Sequence, residues 1–459
     1  MQRDLGQVVA DLRRQVAELR AEKEKLEARI EQLENENRKL REQLEQAQTA
    51  AMRPCAPFRR EERRKVPETL KKRPGRKPGH PGHCRQVPAH IDETVELPLT
   101  HCPHCGAAVS DRERIEQIIE EIPPLRPHVV KVITYRAHCQ RCGWVRTTHP
   151  LQTSDGQGAA KVQLGPRALA LGACLNKVHG LTMRTTCRVL EELCGLRITA
   201  GGLSHALARV AGRVQGVYER LIEEIRASPA VFADETSWWV GGPNWWLWVF
   251  TTASRTVYHV DEARSSSVVE EMLGTDFGGM LVSDCLSSYD PATCAKHKCI
   301  AHHLRAITKA LQLPGTRDPG YLLTWRSFFH GVIALYHLRE TLRFEDFVRK
   351  REAMELWRDQ LLGRPCGQPG DVAVRNRLLK QRTHLLGCLY EPAAEPTNNR
   401  AERALRPAVI ARKLSCGNKT IRGRNCWQIL SSIGATCRQQ AVDFVPYLAA
   451  LLPLTPQPG

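Results

Sequence analysis

Three carboxylates carry the first chemistry legible in this chain. Glu402 stands within Pro396-Thr397-Asn398-Asn399-Arg400-Ala401-Glu402-Arg403-Ala404-Leu405-Arg406-Pro407, one acid among three arginines at the start of an expected helix. Asp234 and Asp284 each lie at the end of a hydrophobic, strand-like run. Brought together, such side chains offer only oxygen donors, which suit hard divalent cations. Two magnesium ions roughly 3.5–4 Å apart would activate an attacking hydroxyl and stabilise a leaving oxygen, the requirements of phosphodiester cleavage and transfer. In this reading Asp234 bridges both ions, while Asp284 and Glu402 serve one each. Plainer readings stay open. Asn399 followed three residues later by Glu402 fits a capping box. Strand-end aspartates commonly cap turns, and Glu235, Asp261, Glu262 and Asp290 are nearby competitors.

Basic residues crowd the third carboxylate. Arg400, Arg403, Arg406, Arg412 and Lys413, with Lys419, Arg422 and Arg424 beyond them, make sense beside a DNA phosphate backbone. The second signature is sulfur. Cys102-Pro103-His104-Cys105-Gly106 and Cys139-Gln140-Arg141-Cys142-Gly143 are matching CxxC turns. Four thiolates make a closed tetrahedral structural zinc site, and the trailing glycines let the backbone curl beneath the sulfurs. Such binding is worth about 10–16 kcal/mol in small zinc domains, enough to fold one. Segments 115–122 and 129–135 are expected to form a ribbon between the knuckles, with His101, His104 and His138 as exposed neighbours. A redox role is disfavoured, because two matching turns occur without an adjoining βαβ pattern.

Several elements must position these groups. Leu5, Leu12, Leu19, Leu26, Leu33 and Leu40 recur every seven residues, with Val9, Val16, Lys23, Ile30, Asn37 and Leu44 at the intervening a positions. This predicts a coiled-coil homodimer over 1–50, its parallel register set by Asn37. Residues 51–90 read as a basic flexible arm whose Arg73, Arg76 and Lys77 would follow phosphates or enter a minor groove. The zinc ribbon spans 91–150. A helical segment over 160–226 contains runs at 182–194 and 199–210 separated by a turn at Gly195. It suits a helix-turn-helix presenting Ser204, His205 and Arg209, or equally an ordinary helical hairpin.

Strands follow at 231–240, 245–252 and 256–260, then a helix at 265–273 and a strand at 280–283 closing on Asp284. Residues 299–310 begin as a strand and become a helix. The order βββ-α-β-α, with one aspartate inside the first strand and another closing the fourth, is the RNase H-like arrangement. It is placed over 229–440, with a helical insertion at about 315–392 and a tail over 441–459. The expected fold class is therefore multidomain α+β and α/β: coiled coil, zinc ribbon, helix-turn-helix-like segment, and RNase H-like domain with helical insertion.

Bulk properties agree. The 459 residues allow several domains, and 42% hydrophobic content supports ordinary cores. A net charge of +18 and a pI near 9.4 point to a polyanionic partner, nucleic acid ahead of membrane. No secretory signal is apparent, and no run approaches the roughly 20 apolar residues of a membrane span. Seventeen scattered cysteines, an odd number, argue against a disulfide framework and for a reducing cytoplasm.

Ala233-Asp234-Glu235-Thr236-Ser237-Trp238, Val282-Ser283-Asp284 with Tyr289, Cys299-Ile300-Ala301-His302 with Arg305, and the stretch 396–407 together resemble the insertion-sequence-66 family of bacterial DDE transposases. The leucine zipper, the arm at 75–83 and the paired knuckles match that family's N-terminal half in the same order. The resemblance implies Asp234, Asp284 and Glu402 as the catalytic triad, with magnesium as the metal. It implies cutting at terminal inverted repeats and joining to target double-stranded DNA, accessory proteins of the same element, and a nucleoid-associated place in a bacterial cytoplasm. Cys285 and Leu286 stand where the family usually has glycine and then an aromatic. Cys294, His297, Cys299 and His302 suggest a second zinc site, against which a structural role near the triad is preferred. Two other functions remain in view. One is a non-enzymatic, dimeric zinc-ribbon DNA-binding regulator with a degenerate RNase H-like domain; the other is a nuclease that cuts without joining.

Overall fold

The computed structural model describes residues 22–37, 40, 85–110, 113–154, 162–313 and 318–453. Two compact units, Met1–Glu120 and Glu121–Gly459, are taken separately. In the first, residues 22–37 form helix α1. Its heptad side chains Leu26, Ile30 and Leu33 are exposed, as is Leu40, so an apolar stripe runs along a charged helix. Leu5, Leu12, Leu19, Arg73, Arg76 and Lys77 lie outside the described residues.

The first departure from expectation is at the ribbon. Segments 115–122 and 129–135 carry no strand. Pro123, Pro124 and Pro127 interrupt the run between them, and prolines cannot donate to a ladder. The hairpin forms instead around the second CxxC turn. There β1 (Arg136–Cys139) and β2 (Gly143–Arg146) pair antiparallel with Cys139 opposite Gly143.

Helices α2 (Pro166–Ala173), α3 (Met183–Cys194), α4 (Ala200–Arg213) and α5 (Gln215–Arg226) follow. The turn chemistry sets their ends. Thr182 accepts from Thr185 N at the start of α3, Gly195 closes it at φ +65°, and Thr199 accepts from Gly202 N to open α4. Leu203, Leu207 and Val210 of α4 are buried, while Ser204, His205 and Arg209 are exposed at its surface.

A mixed five-stranded sheet then forms from β3 (Ala230–Trp238), β4 (Trp245–Thr251), β5 (Thr256–Asp261), β6 (Met280–Ser283) and β7 (Ala295–Lys298), in the order β5-β4-β3-β6-β7. β3, β4 and β5 are an antiparallel meander, whereas β6 runs parallel to β3 and β7 parallel to β6. Helix α6 (Ser266–Leu273) connects β5 to β6, and α7 (Ile300–Leu311) follows β7. The last strand therefore precedes its expected position. Pairing with β6 uses Ala295–Lys298, and Cys299 is already the N-cap residue of α7.

Alternation along β3 sorts the two sheet faces. Val231 and Ala233 join a core with Ile225 of α5 and Val269 of α6, while Ala230 and Phe232 pack with Ala401, Leu405 and Ala408 of α11 (Asn399–Ser415). The free edge of β5 is covered by α12 (Ile421–Gln439). Gln428, Ser432 and Thr436 accept from the backbone N–H groups of Val260, Tyr258 and Thr256 at 3.2, 2.8 and 3.1 Å. The match is metric: four helical residues rise about 6 Å, and two strand residues rise about 6.6 Å. An edge that could recruit another chain is thereby satisfied internally.

Helices α8 (Gly320–Leu338), α9 (Phe344–Gly363) and α10 (Pro369–Lys380) pack with α7 around Trp325, Phe328 and Phe329. The segment from 441 is more than a tail. It carries α13 (Phe444–Ala450), whose Phe444 and Leu448 are buried in the same core as α2. Among the described residues, no helix is long and apolar enough to cross a membrane.

Candidate active site

Register aligns the two aspartates. Phe232 of β3 pairs with Val282 of the parallel β6. Asp234 lies two residues further along β3, on the same face as Phe232, and Asp284 directly follows the last residue of β6. That face packs against α11, whose first turn carries Glu402.

The start of α11 is set by Asn398, which is fully buried. Its Nδ2 donates to Ala233 O at 2.8 Å, and its backbone N donates to Cys299 Sγ at 3.1 Å. Pro396 O accepts from Ile300 N at 3.0 Å and lies 3.1 Å from His297 Nε2. The segment leading into α11 is therefore stitched to the residue before Asp234 and to the end of β7. This overturns the capping-box reading. Asn398, not Asn399, is the N-cap residue, and its side chain makes no cap bond: Nδ2 donates to β3, and Oδ1 is buried without a hydrogen-bond partner. Glu402 Oε1 accepts instead from Arg305 Nη2 at 3.0 Å.

Electrostatics links the three acids. Burial lifts the Asp234 carboxyl to about 7, and Glu235, Asp284 and Glu402 push the same way, against an N–H that Glu235 donates to Asp234 Oδ1 at 3.0 Å. A carboxyl that feels both other charges is their neighbour. The trio is not a closed cage, since its ligand atoms do not all lie within 4.8 Å of one another. The donor set nevertheless fits hard cations: oxygen only, with mutual repulsion that positive charge would relieve. Asp284 Oδ1 accepts from Leu286 N at 2.9 Å. Cys285 is not at positive φ, so the turn holds a side chain without backbone strain.

The competing acids have other employment. Glu235 accepts from Arg264 Nη2 and from the Tyr289 hydroxyl, each at 2.7 Å. Asp290 pairs with Lys298 at 3.3 Å and Lys380 at 3.1 Å. Asp261 accepts from Ala263 N at 2.7 Å, and Glu262 is exposed. Beside the trio, burial and Arg305 hold the His302 imidazole below its ordinary pKa, while Asp284 and Glu402 oppose them. Sequence reasoning missed Lys298, a fully buried amine that donates to Ser283 Oγ at 3.2 Å directly before Asp284. It also passed over Asn398 as a positioning group. The doubled asparagine before the helix was the available signal.

The basic residues divide. Arg400 binds Glu395 and lies over the Phe232 ring at 5.3 Å, and Arg412 donates to Thr236 Oγ1 at 3.0 Å and Ser237 Oγ at 2.8 Å. Arg403, Arg406 and Lys413 are exposed. Cys294, His297, Cys299 and His302 do not gather three ligand atoms within 4.8 Å. His297 and Cys299 are instead buried, bonding Pro396 O and Asn398 N.

Each CxxC turn has the same local build. Backbone N–H groups of His104 and Cys105 point at the Cys102 sulfur, and those of Cys142 and Arg141 at the Cys139 sulfur, holding both thiols below their ordinary pKa. Gly106 and Gly143 adopt φ +71° and +72°, the left-handed conformation that lets the chain fold back under sulfur. His101, His104 and His138 are exposed.

Comparison with known proteins places this geometry. Two uncharacterized proteins of Sinorhizobium fredii, y4jD and y4qI, are similar to the chain. The first is 22% identical over 80% of this chain and 77% of its own length, and the second 23% identical over 74% and 72%. The model of the Transposase IS66 family matches residues 161–425, more than half of the chain, including the sheet, α11 and all three carboxylates. The chain belongs to the IS66 family of transposases.

Proposed function

We propose that the protein cuts insertion-sequence ends and joins them to target DNA by metal-dependent phosphodiester transfer, with Asp234, Asp284 and Glu402 as the catalytic, metal-holding triad. The observation that supports this most is the Asp234 carboxyl, raised to about 7 chiefly by burial and by Glu235, with Asp284 and Glu402 adding to the shift. The sheet order β5-β4-β3-β6-β7, with one acid inside β3 and another just past the adjacent parallel β6, supports an RNase H-like reading. The triad would hold two magnesium ions, which when bound activate the attacking water or 3′-hydroxyl and stabilise the leaving oxygen. The chain's own residues position. Asn398 holds the Glu402 helix against β3, Arg305 steadies Glu402, and Lys298 braces the strand that carries Asp284.

Arg403, Arg406 and Lys413 would meet phosphates, while Arg400 and Arg412 keep α11 on the sheet. Cys102, Cys105, Cys139 and Cys142 would bind structural zinc, for which the shared thiolate-directed turn is the support. The exposed stripe of α1 supports a homodimer, the arm at Arg73, Arg76 and Lys77 further DNA contact, and the family accessory proteins of the same element.

The test is strand cleavage and strand transfer on element-end DNA with magnesium, comparing wild type with Asp234→Asn, Asp284→Asn and Glu402→Gln. All three variants should bind DNA and fail to cut. Full cutting by any one of them removes that residue from the triad. Salt-sensitive DNA binding without cleavage by wild type would leave a DNA-binding regulator.

A further inference from the structure

We infer that His259, Asp261 and Glu271 form a divalent-cation site of their own, separate from the three carboxylates above. The strand period puts His259 and Asp261 on one face of β5 together with Val257, and α6, which carries Glu271, packs on that face. His259 Nε2 lies 3.8 Å from Asp261 Oδ2 and 4.0 Å from Glu271 Oε1, and the three ligand atoms all fall within 4.8 Å of one another.

These gaps are too long for hydrogen bonds. They slightly exceed the roughly 3.3–3.6 Å that separates two donors at the tetrahedral angle of an ion with bonds of about 2.0–2.2 Å, so a small inward movement would seat an ion. His259 Nε2 is also a buried polar atom with no hydrogen-bond partner, a condition that costs stability unless something completes it. The His259 side chain is 12% exposed and pinned in the strand, whereas Glu271 is 63% exposed and free to close on an ion. Asp261 is already oriented, because its other oxygen accepts from Ala263 N at 2.7 Å. Arg424, whose Nη1 donates to Val260 O at 2.8 Å, contributes positive charge nearby, and two carboxylates offset it.

One imidazole with two carboxylates selects a borderline cation such as Zn²⁺ or Co²⁺ over the oxygen-seeking Mg²⁺, with water completing the shell. The ion would clasp β5 to α6 across the link bearing Arg264, the residue that holds Glu235 beside Asp234. It would thus be a structural fastener.

The experiment titrates the full-length protein, in excess Mg²⁺, with Co²⁺ by absorption and with Zn²⁺ by thermal melting. Glu271→Gln is the clean variant because the residue is exposed, and Asp261→Asn is the second. Wild type should show a nitrogen- and oxygen-ligand Co²⁺ band, distinct from sulfur charge transfer, that both variants lose. Zn²⁺ should raise the wild-type Tm more than that of either variant. Co²⁺ spectra and Zn²⁺ shifts identical in wild type and variants would overturn the proposal, leaving a histidine–carboxylate ion pair only. The result does not depend on cleavage activity.

Discussion

Asp234→Asn in metal-free buffer exposes the cost of ionising a carboxyl that is raised by burial first, then by Glu235, Asp284 and Glu402. The Asp234 carboxyl moves from an ordinary 3.8 to about 7 in the folded chain. Its pKa is raised on folding, so its favourable contribution is complete at low pH and is lost as pH rises through about 7. A tenfold change in an acid's ionisation constant corresponds to about 1.4 kcal/mol. Relative to a side chain that never ionises, the shift therefore costs the fold about 2 kcal/mol at pH 5, where the folded carboxyl is still protonated, and about 4 kcal/mol at pH 8, where it is ionised. Asparagine keeps the shape and removes the charge. Urea unfolding at pH 5, 6, 7 and 8 with EDTA should show the variant gaining on wild type with each step, by about 2 kcal/mol across the range. Saturating Mg²⁺ should restore wild type at pH 8 and leave the variant nearly unmoved. A gap that stays flat with pH refutes the raised Asp234 carboxyl, and an equal response to Mg²⁺ refutes its role as a metal ligand.

Other outcomes follow from single contacts. Asn398→Ala leaves Ala233 O unpartnered and unties the Glu402 helix; it should cost about 1–3 kcal/mol in urea unfolding, and cleavage should require more Mg²⁺. Ser432→Ala strips the Tyr258 N–H of its acceptor at the buried edge of β5, which should cost about 1–3 kcal/mol without altering metal dependence. Arg403→Ala and Arg406→Ala should each lower the slope of log affinity for DNA against log salt by about 1, whereas Arg400→Ala should chiefly lower stability. Leu33→Asp on the apolar stripe of α1 should yield monomers in sedimentation while the folded content of the sheet unit is unchanged.

Much of this protein was legible in its residues because the governing interactions are local. Hydrophobic runs bounded by short turns marked β3, β4 and β6, and threonine and glycine punctuation marked the ends of α3 and α4, since a cap or a left-handed turn is decided within a few residues. The CxxC-Gly turns were readable for the same reason. What the residues alone left undecided is set by partners distant in the chain. β7 lies at Ala295–Lys298 because β6 offers pairing there. Asn398 sits at the N-cap but turns its Nδ2 to Ala233 O in the core, and Glu235, beside Asp234, is engaged by Arg264 and Tyr289. The rungs of α12 on β5 join residues more than 160 positions apart. Local chemistry determined the pieces. Only the tertiary structure, by satisfying buried donors, acceptors and charges, decided which acids face one another.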